Sequence, residues 1–237
     1  MCGRRGSPSE ELGGAVLCDK CRGYFYAVGP HLCMRCGRTV GSEDSLCRFC
    51  AERDAGFDKA AAVFDYKDGA KDLIHSLKYS EKPWLVKYAA ACMAEKVRSL
   101  QWKPDVITYI PMYAKKERHR GFNQAELLAA KIAEELNLQC RSLIVRNRGT
   151  IPQSHLSVAE RRENIKDAFS VDKLCHEDLA GKCILVVDDV MTTGSSLNEA
   201  ADVLKDAGAA QIFGISFAAV DDLDRVQGKK QKMEQDI

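Results

Sequence analysis

The stretch Ile184-Leu185-Val186-Val187-Asp188-Asp189-Val190-Met191-Thr192-Thr193-Gly194-Ser195-Ser196 changes character twice. Ile184 to Val187 is wholly apolar, as in a strand buried on both faces of a parallel sheet. Two carboxylates follow at its carboxyl end, where open α/β sheets bind their ligands. Thr192-Thr193-Gly194-Ser195-Ser196 then leads into a helix predicted over Ser195–Ala207 and closed by Gly208. Gly194 lets the backbone come close to a ligand. Successive backbone N–H groups and the helix dipole attract a phosphate, and the hydroxyls add donors. Adjacent carboxylates accept hydrogen bonds from a vicinal diol, or help to place Mg²⁺ through its waters. The cassette suits a ribose 5-phosphate. An N-capped helix behind a buried strand would account for one aspartate and one serine only. A receiver-type acidic pocket would account for Asp188-Asp189 but gives no reason for Thr-Thr-Gly-Ser-Ser.

Outward from this cassette, strands and helices alternate, which predicts a doubly wound, mainly parallel sheet. Strands are expected at Ala60–Tyr66, Val106–Ile110, Leu143–Arg146 and Gln211–Val220. Helices are expected at Ala70–Leu77, from Pro83 to about Leu100, at Gln124–Leu136 and at Ser157–Asn164. The Gln124–Leu136 pattern puts Leu127, Leu128, Ile132 and Leu136 on one face. Ser157 and Glu160 have the spacing of a capping box. Between Val106–Ile110 and Gln124 lies the basic run Lys115-Lys116-Glu117-Arg118-His119-Arg120. Arg118 and Arg120 there are candidates to grip an anionic group with paired hydrogen bonds. A solvated basic loop is the alternative.

Composition changes near Ala55–Phe57. This divides the chain into a Cys-rich module over 1–55, an α/β domain over 56–222 and a charged, apolar-poor tail over 223–237. Hydrophobic residues at 46% and charged residues at 29% leave material for one sizeable core and a small satellite. A net charge of +1 offers no global field for nucleic acid or a membrane surface. No apolar run approaches the ~20 residues that span a bilayer, and the N-terminus has no signal-peptide core, so a cytoplasmic protein without membrane insertion is expected.

Of the 11 cysteines, Cys18/Cys21, Cys33/Cys36 and Cys47/Cys50 form three Cys-x-x-Cys knuckles, each able to place two thiolates on one metal. The 10 residues between Cys36 and Cys47 suit one Cys₄ zinc, with iron–sulfur ligation as the alternative. Cys2-Gly3-Arg4 repeats Cys36-Gly37-Arg38, the second half of a knuckle. Cys2, Cys18 and Cys21 are therefore expected to be three ligands of a second zinc site, with an upstream cysteine missing and Met1 not the natural first residue. The zinc would be structural, because so small a unit has little core of its own. A nucleic-acid knuckle is the alternative, gripping with Arg22, Arg35, Arg38 and Arg48 and stacking with Tyr24, Phe25, Tyr26 and Phe49.

The cassette resembles the phosphoribosyl-diphosphate (PRPP) signature of type I phosphoribosyltransferases. The chain as a whole resembles the ComF family of ComFC- and GntX-like proteins. The resemblance runs through Leu32-Cys33-x-x-Cys36-Gly37, Leu73-Ile74-x-x-Leu77-Lys78-Tyr79, Arg120-Gly121-Phe122-Asn123-Gln124, Pro152-Gln153, Arg161, Asn164 and Ala168-Phe169. It implies a type I phosphoribosyltransferase fold with an N-terminal zinc module, and PRPP bound with Mg²⁺. Asp188 and Asp189 would be catalytic, favouring a cation-like sugar ring. Val190, Thr192, Thr193, Gly194, Ser195 and Ser196 would bind PRPP, with Pro111 in a pyrophosphate loop at Tyr109-Ile110-Pro111-Met112. Arg148 would belong to a lid over Arg146–Gln153. The implied function is phosphoribosyl transfer to an unnamed acceptor, linked to competence or DNA uptake. The alternative is a non-catalytic protein that senses PRPP or handles single-stranded DNA, with single-stranded DNA or DNA-uptake proteins as partners.

Overall fold

The computed structural model describes residues 17–42, 45–52, 55–79, 83–148, 167–172, 175 and 179–222. Cys2, the expected helix Ser157–Asn164, Pro152, Gln153, Arg161, Asn164 and the tail over 223–237 lie outside the described residues.

Two single-turn helices, α1 (Asp19–Arg22) and α2 (Arg48–Ala51), belong to the Cys-rich segment. Then follow β1 (Lys59–Asp65), α3 (Asp68–Tyr79), α4 (Pro83–Ser99), β2 (Val106–Tyr109), α5 (Ala114–Arg120), α6 (Gln124–Leu136) and β3 (Gln139–Cys140). A short ribbon pairs β4 (Ile144–Arg146) with β5 (Phe169–Val171), and β6 (Cys183–Met191), α7 (Ser195–Asp206) and β7 (Gln211–Ala219) complete the order. Five strands form a sheet in the order β1-β7-β6-β2-β3, with every neighbouring pair parallel. The two strands with the longest buried runs, β6 and β7, stand at its centre, where both faces must be covered.

Side chains alternate across the pleat. Leu185, Val187, Ile215 and Phe217 meet Leu73, Leu85, Met93, Leu128 and Ile132 of α3, α4 and α6 on one face. Ile184, Val186 and Ile212 meet Leu197, Ala200, Ala201 and Leu204 of α7 on the other. Cys33, Cys36, Cys47, Cys50 and Phe49 lie in that second layer, so the core runs across the compositional change at Ala55–Phe57. Gly37 permits this docking. Its φ is +63°, and a Cβ there would stand 2.7 Å from the Ala60 carbonyl oxygen of β1.

Three expectations shift. The strand predicted to stop at Val187 continues to Met191, because β7 pairs alongside through Val190↔Ala218 and Met191↔Ala219. The buried face of α6 is Gln124, Ala125, Leu128, Ala129, Ile132 and Ala133, while Leu127 is 39% exposed. Alanines there let the helix lie close on the sheet. The basic run Lys115–Arg120 is helix α5, not a loop, and it ends at Gly121 with φ +90°. Among the described residues no helix is long and apolar enough to cross a membrane.

Candidate active site

A cavity of about 390 Å³ opens at the carboxyl ends of β6 and β2. One wall is the β6–α7 turn. Gly194 caps α7 with φ +78°, a conformation that favours glycine, and its carbonyl accepts from the Asn198 N–H at 2.9 Å. Thr192, Gly194, Ser195 and Ser196 line the cavity. Thr193 does not. It is buried behind the turn, sharing a 2.8 Å hydrogen bond with the Ser195 hydroxyl and accepting from the Ser195 N–H. Its hydroxyl holds the loop in shape.

Asp188, Asp189 and Val190 form the floor. The Asp189 N–H donates to the Asp188 carboxylate at 2.8 Å, and the Lys78 ammonium stands 3.4 Å from the Asp189 carboxylate. Burial, and then the charge of Asp189, push the Asp188 carboxyl well above the usual carboxylate range. Two adjacent carboxylates in a partly dry pocket are poised for a cation or for diol hydroxyls that donate to them. The acidic pair therefore fits a ligand carrying Mg²⁺.

The opposite wall is cationic. Ile110 and Pro111 follow β2, and Lys116, Arg120 and Arg146 converge on the same cavity. Partial burial, and then the charges of Arg120, Lys78 and Arg146, hold Lys116 below the usual amine range. Burial also lowers Arg146, although Asp188 acts in the opposite direction. Such crowding of like charges is favourable only toward a strongly anionic ligand. Arg118, offered above as a gripping residue, lies exposed on α5 away from the cavity, since only Lys116 and Arg120 share the inner face. Arg148 is exposed and does not line the cavity. The expected lid over Arg146–Gln153 lies outside the described residues beyond 148.

The Arg-Gly-Phe-Asn-Gln segment fixes this wall. Asn123 caps α6 by accepting from the Ala125 N–H at 3.1 Å, and it donates to the Ile110 carbonyl at 3.1 Å. Gln124 accepts from Arg120 at 2.8 Å. Its Nε2 is buried at the cavity with no partner among the described residues, as is the hydroxyl of Ser216, the residue paired with Asp188. Buried donors are normally satisfied, so both are candidates to meet a ligand. Lys78, Lys116, Arg146, Gln124 and Ser216 were not singled out in the sequence. Lys78, Lys116, Arg146 and Gln124 lie inside segments quoted above, whereas Ser216 carries no local signal.

Cys33, Cys36, Cys47 and Cys50 bring their sulfurs within 4.8 Å of one another, a buried set able to hold a metal ion such as zinc. The Cys47 N–H donates to the Cys33 sulfur at 3.3 Å. Hydrogen bonds with Cys36 and Cys47 push the Cys33 thiol down, while bonds to Cys33 and Cys36 push Cys47 and Cys50 up. Thiols so placed share protons unevenly until a cation replaces them. Cys18 and Cys21 lie apart, against the other face of the sheet. Cys2 lies outside the described residues.

Part of the nucleic-acid grip weighed above is engaged within the protein. Arg38 and Phe49 are each 1% exposed, and Arg48 pairs with Asp222 at 2.9 Å. Phe25 packs on Phe64 with ring centroids 5.1 Å apart. Arg38, Phe49 and Phe25 thus pack between module and sheet, while Tyr24 and Tyr26 stay exposed.

A family model described as phosphoribosyl transferase domain matches residues 119–234. A DNA utilization protein, YhgH, of Salmonella typhi is 31% identical over 76% of this chain and 81% of its own. Competence protein F of Haemophilus influenzae is 28% identical over 85% of this chain and 96% of its own, and competence protein ComFC of Streptococcus pneumoniae is 26% identical over 86% and 87%. The chain belongs to the ComF family. This ComF-family protein carries a type I phosphoribosyltransferase-like domain, a five-stranded parallel sheet with its cavity beyond the strand ends, and a Cys₄ module built into one face.

Proposed function

We propose that the cavity binds PRPP with Mg²⁺ and that the protein transfers its phosphoribosyl group to an acceptor. The observation that carries this is the convergence of three recognition elements on one cavity. The Thr192–Ser196 turn receives the 5-phosphate through backbone N–H groups and hydroxyls. Asp188 and Asp189 face the ribose hydroxyls. Lys78, Lys116, Arg120 and Arg146 neutralise the diphosphate beside Pro111. Mg²⁺ would bind PRPP oxygens and stabilise the leaving diphosphate, with the acidic pair holding its waters. Transfer is displacement at the anomeric carbon: the acceptor atom's bond forms as the bond to the diphosphate oxygen breaks. The carboxylates favour the positive charge that develops on the ring, and no protein nucleophile is required.

Zinc is the metal proposed for the Cys₄ cluster. The relatives' names support a place in DNA handling during competence. Of the four aromatics weighed for base stacking, Tyr24 and Tyr26 are 50% and 47% exposed and remain available to single-stranded DNA.

Isothermal titration with PRPP and Mg²⁺ tests the site. Saturable binding is expected for the intact chain, and loss of the signal for the Asp188→Asn, Asp189→Asn double variant with unchanged far-UV circular dichroism. No heat from the intact chain would overturn the reading. Diphosphate release on adding bases, amines or single-stranded DNA separates transfer from sensing.

A further inference from the structure

Arg38 is among the largest fully buried side chains, at 1% exposure. A buried guanidinium is tolerated only where charge and hydrogen bonds compensate it. Among the described residues its hydrogen bonds go to a sulfur and two carbonyls. Nε donates to the Cys36 sulfur at 3.2 Å, and the guanidinium lies 4.7 Å from the centre of the Phe49 ring. Nη1 donates to the carbonyls of Thr192 at 2.8 Å and Val220 at 3.1 Å. The compensating charge is the thiolate cluster. A divalent ion on four thiolates leaves a net negative charge, so the cluster keeps that role with metal bound.

The carbonyls that Arg38 holds sit at the carboxyl ends of β6 and β7, where each chain leaves the sheet. Thr192 opens the phosphate turn. In a trans peptide the carbonyl and the next N–H point in opposite directions. Holding the Thr192 oxygen therefore fixes the peptide plane and turns the Thr193 N–H away from the guanidinium.

We infer that Arg38 is a positioning residue for the phosphate turn, through which metal occupancy of the Cys33, Cys36, Cys47 and Cys50 cluster sets affinity for the phosphate end of the ligand. The inference rests on the ribose-phosphate reading of the cavity and adds a control point to it. The Arg38 hydrogen bonds run to the Cys₄ cluster and to the ends of β6 and β7, whereas Lys116, Arg120 and Arg146 reach the cavity from α5 and β4, so the effect is selective. Ribose 5-phosphate affinity should depend on it, and inorganic diphosphate affinity should not.

The test compares intact protein with Arg38→Lys and Arg38→Met, measuring metal stoichiometry and titrating ribose 5-phosphate and inorganic diphosphate separately. The expected result is a loss on the order of tenfold for ribose 5-phosphate, the scale of a lost charged hydrogen bond. Diphosphate binding and metal content should hold in Arg38→Lys. Equal loss for both ligands, or no loss for either, overturns the inference. If the intact chain binds neither ligand, the site reading itself fails. Should both variants misfold, the intact protein loaded with ¹¹³Cd answers by reciprocal linkage. Ribose 5-phosphate should shift the cadmium resonance while diphosphate leaves it in place. An unmoved resonance overturns the coupling.

Discussion

Asp188 concentrates the chemistry of the site into one ionisation. Burial and the neighbouring Asp189 raise its carboxyl well above the ordinary 3.8. The folded, ligand-free chain therefore binds a proton that the unfolded chain has released. Within the window from the ordinary carboxylate value up to the raised one, the unfolded state holds fewer protons, so stability falls as pH rises. Asp188→Asn should flatten that slope in denaturant titrations of the free protein. A Mg²⁺-bearing ligand prefers the ionised form, so PRPP affinity should rise with pH through the same window and binding should release a proton. Calorimetry in buffers of different ionisation enthalpy reads that release directly, and proton uptake on binding would sink the assignment. The pair itself was legible, because two acids ahead of Thr-Thr-Gly-Ser-Ser need only local order to interpret. Gln124 Nε2 and Ser216 were not, since an unpartnered buried donor is defined by what surrounds it in space.

At the scale of elements, α5 shows where pattern fails. It buries no residue, so it has no apolar stripe to betray a helix, and its basic run reads as a loop. Yet the helix decides which cations matter. Residues four apart share a face, whereas residues two apart point to different sides. Lys116 and Arg120 reach the cavity and Arg118 does not. Lys116→Ala should weaken PRPP binding by about tenfold, the worth of one charged contact, with a steeper loss at low salt. Arg118→Ala should stay within about twofold, since its side chain does not line the cavity and a surface charge away from the ligand contributes little. Titrations at two ionic strengths decide it, and equal losses in the two variants would argue that the run is a solvated basic surface. By contrast α7 was read to within a residue of its end, because a phosphate turn, a glycine cap and a strongly two-faced pattern all coincide there.

Across the whole molecule, the sequence separates a Cys-rich segment from an α/β segment, but packing joins them. The boundary at Ala55–Phe57 marks a change of composition, while the contact from Arg38 to Thr192 spans 154 residues and leaves no local trace. Strand order was equally invisible: β1 and β7 are neighbours through pairings such as Ala61↔Ile215. Because Cys33, Cys36, Cys47 and Cys50 share one core with Ile184, Ile212 and Leu197, metal loss cannot be a local event. Ligand thiols freed of metal must be reprotonated or left charged inside that layer, and either outcome loosens the packing over β1 and α7. Cys47→Ser should therefore lower the stability of the entire chain by several kcal/mol. Hydrogen exchange should quicken in β1, β7 and α7 together with the module, and calorimetry should still show one transition. A variant whose module melts first, while the sheet keeps its protection and its PRPP affinity, would mean that the two segments are energetically separate. The shared buried layer predicts the opposite, because removing the module would expose Ala60, Ala62 and Ile212 to water on a face where, beyond the module, α7 is the only described helix packed.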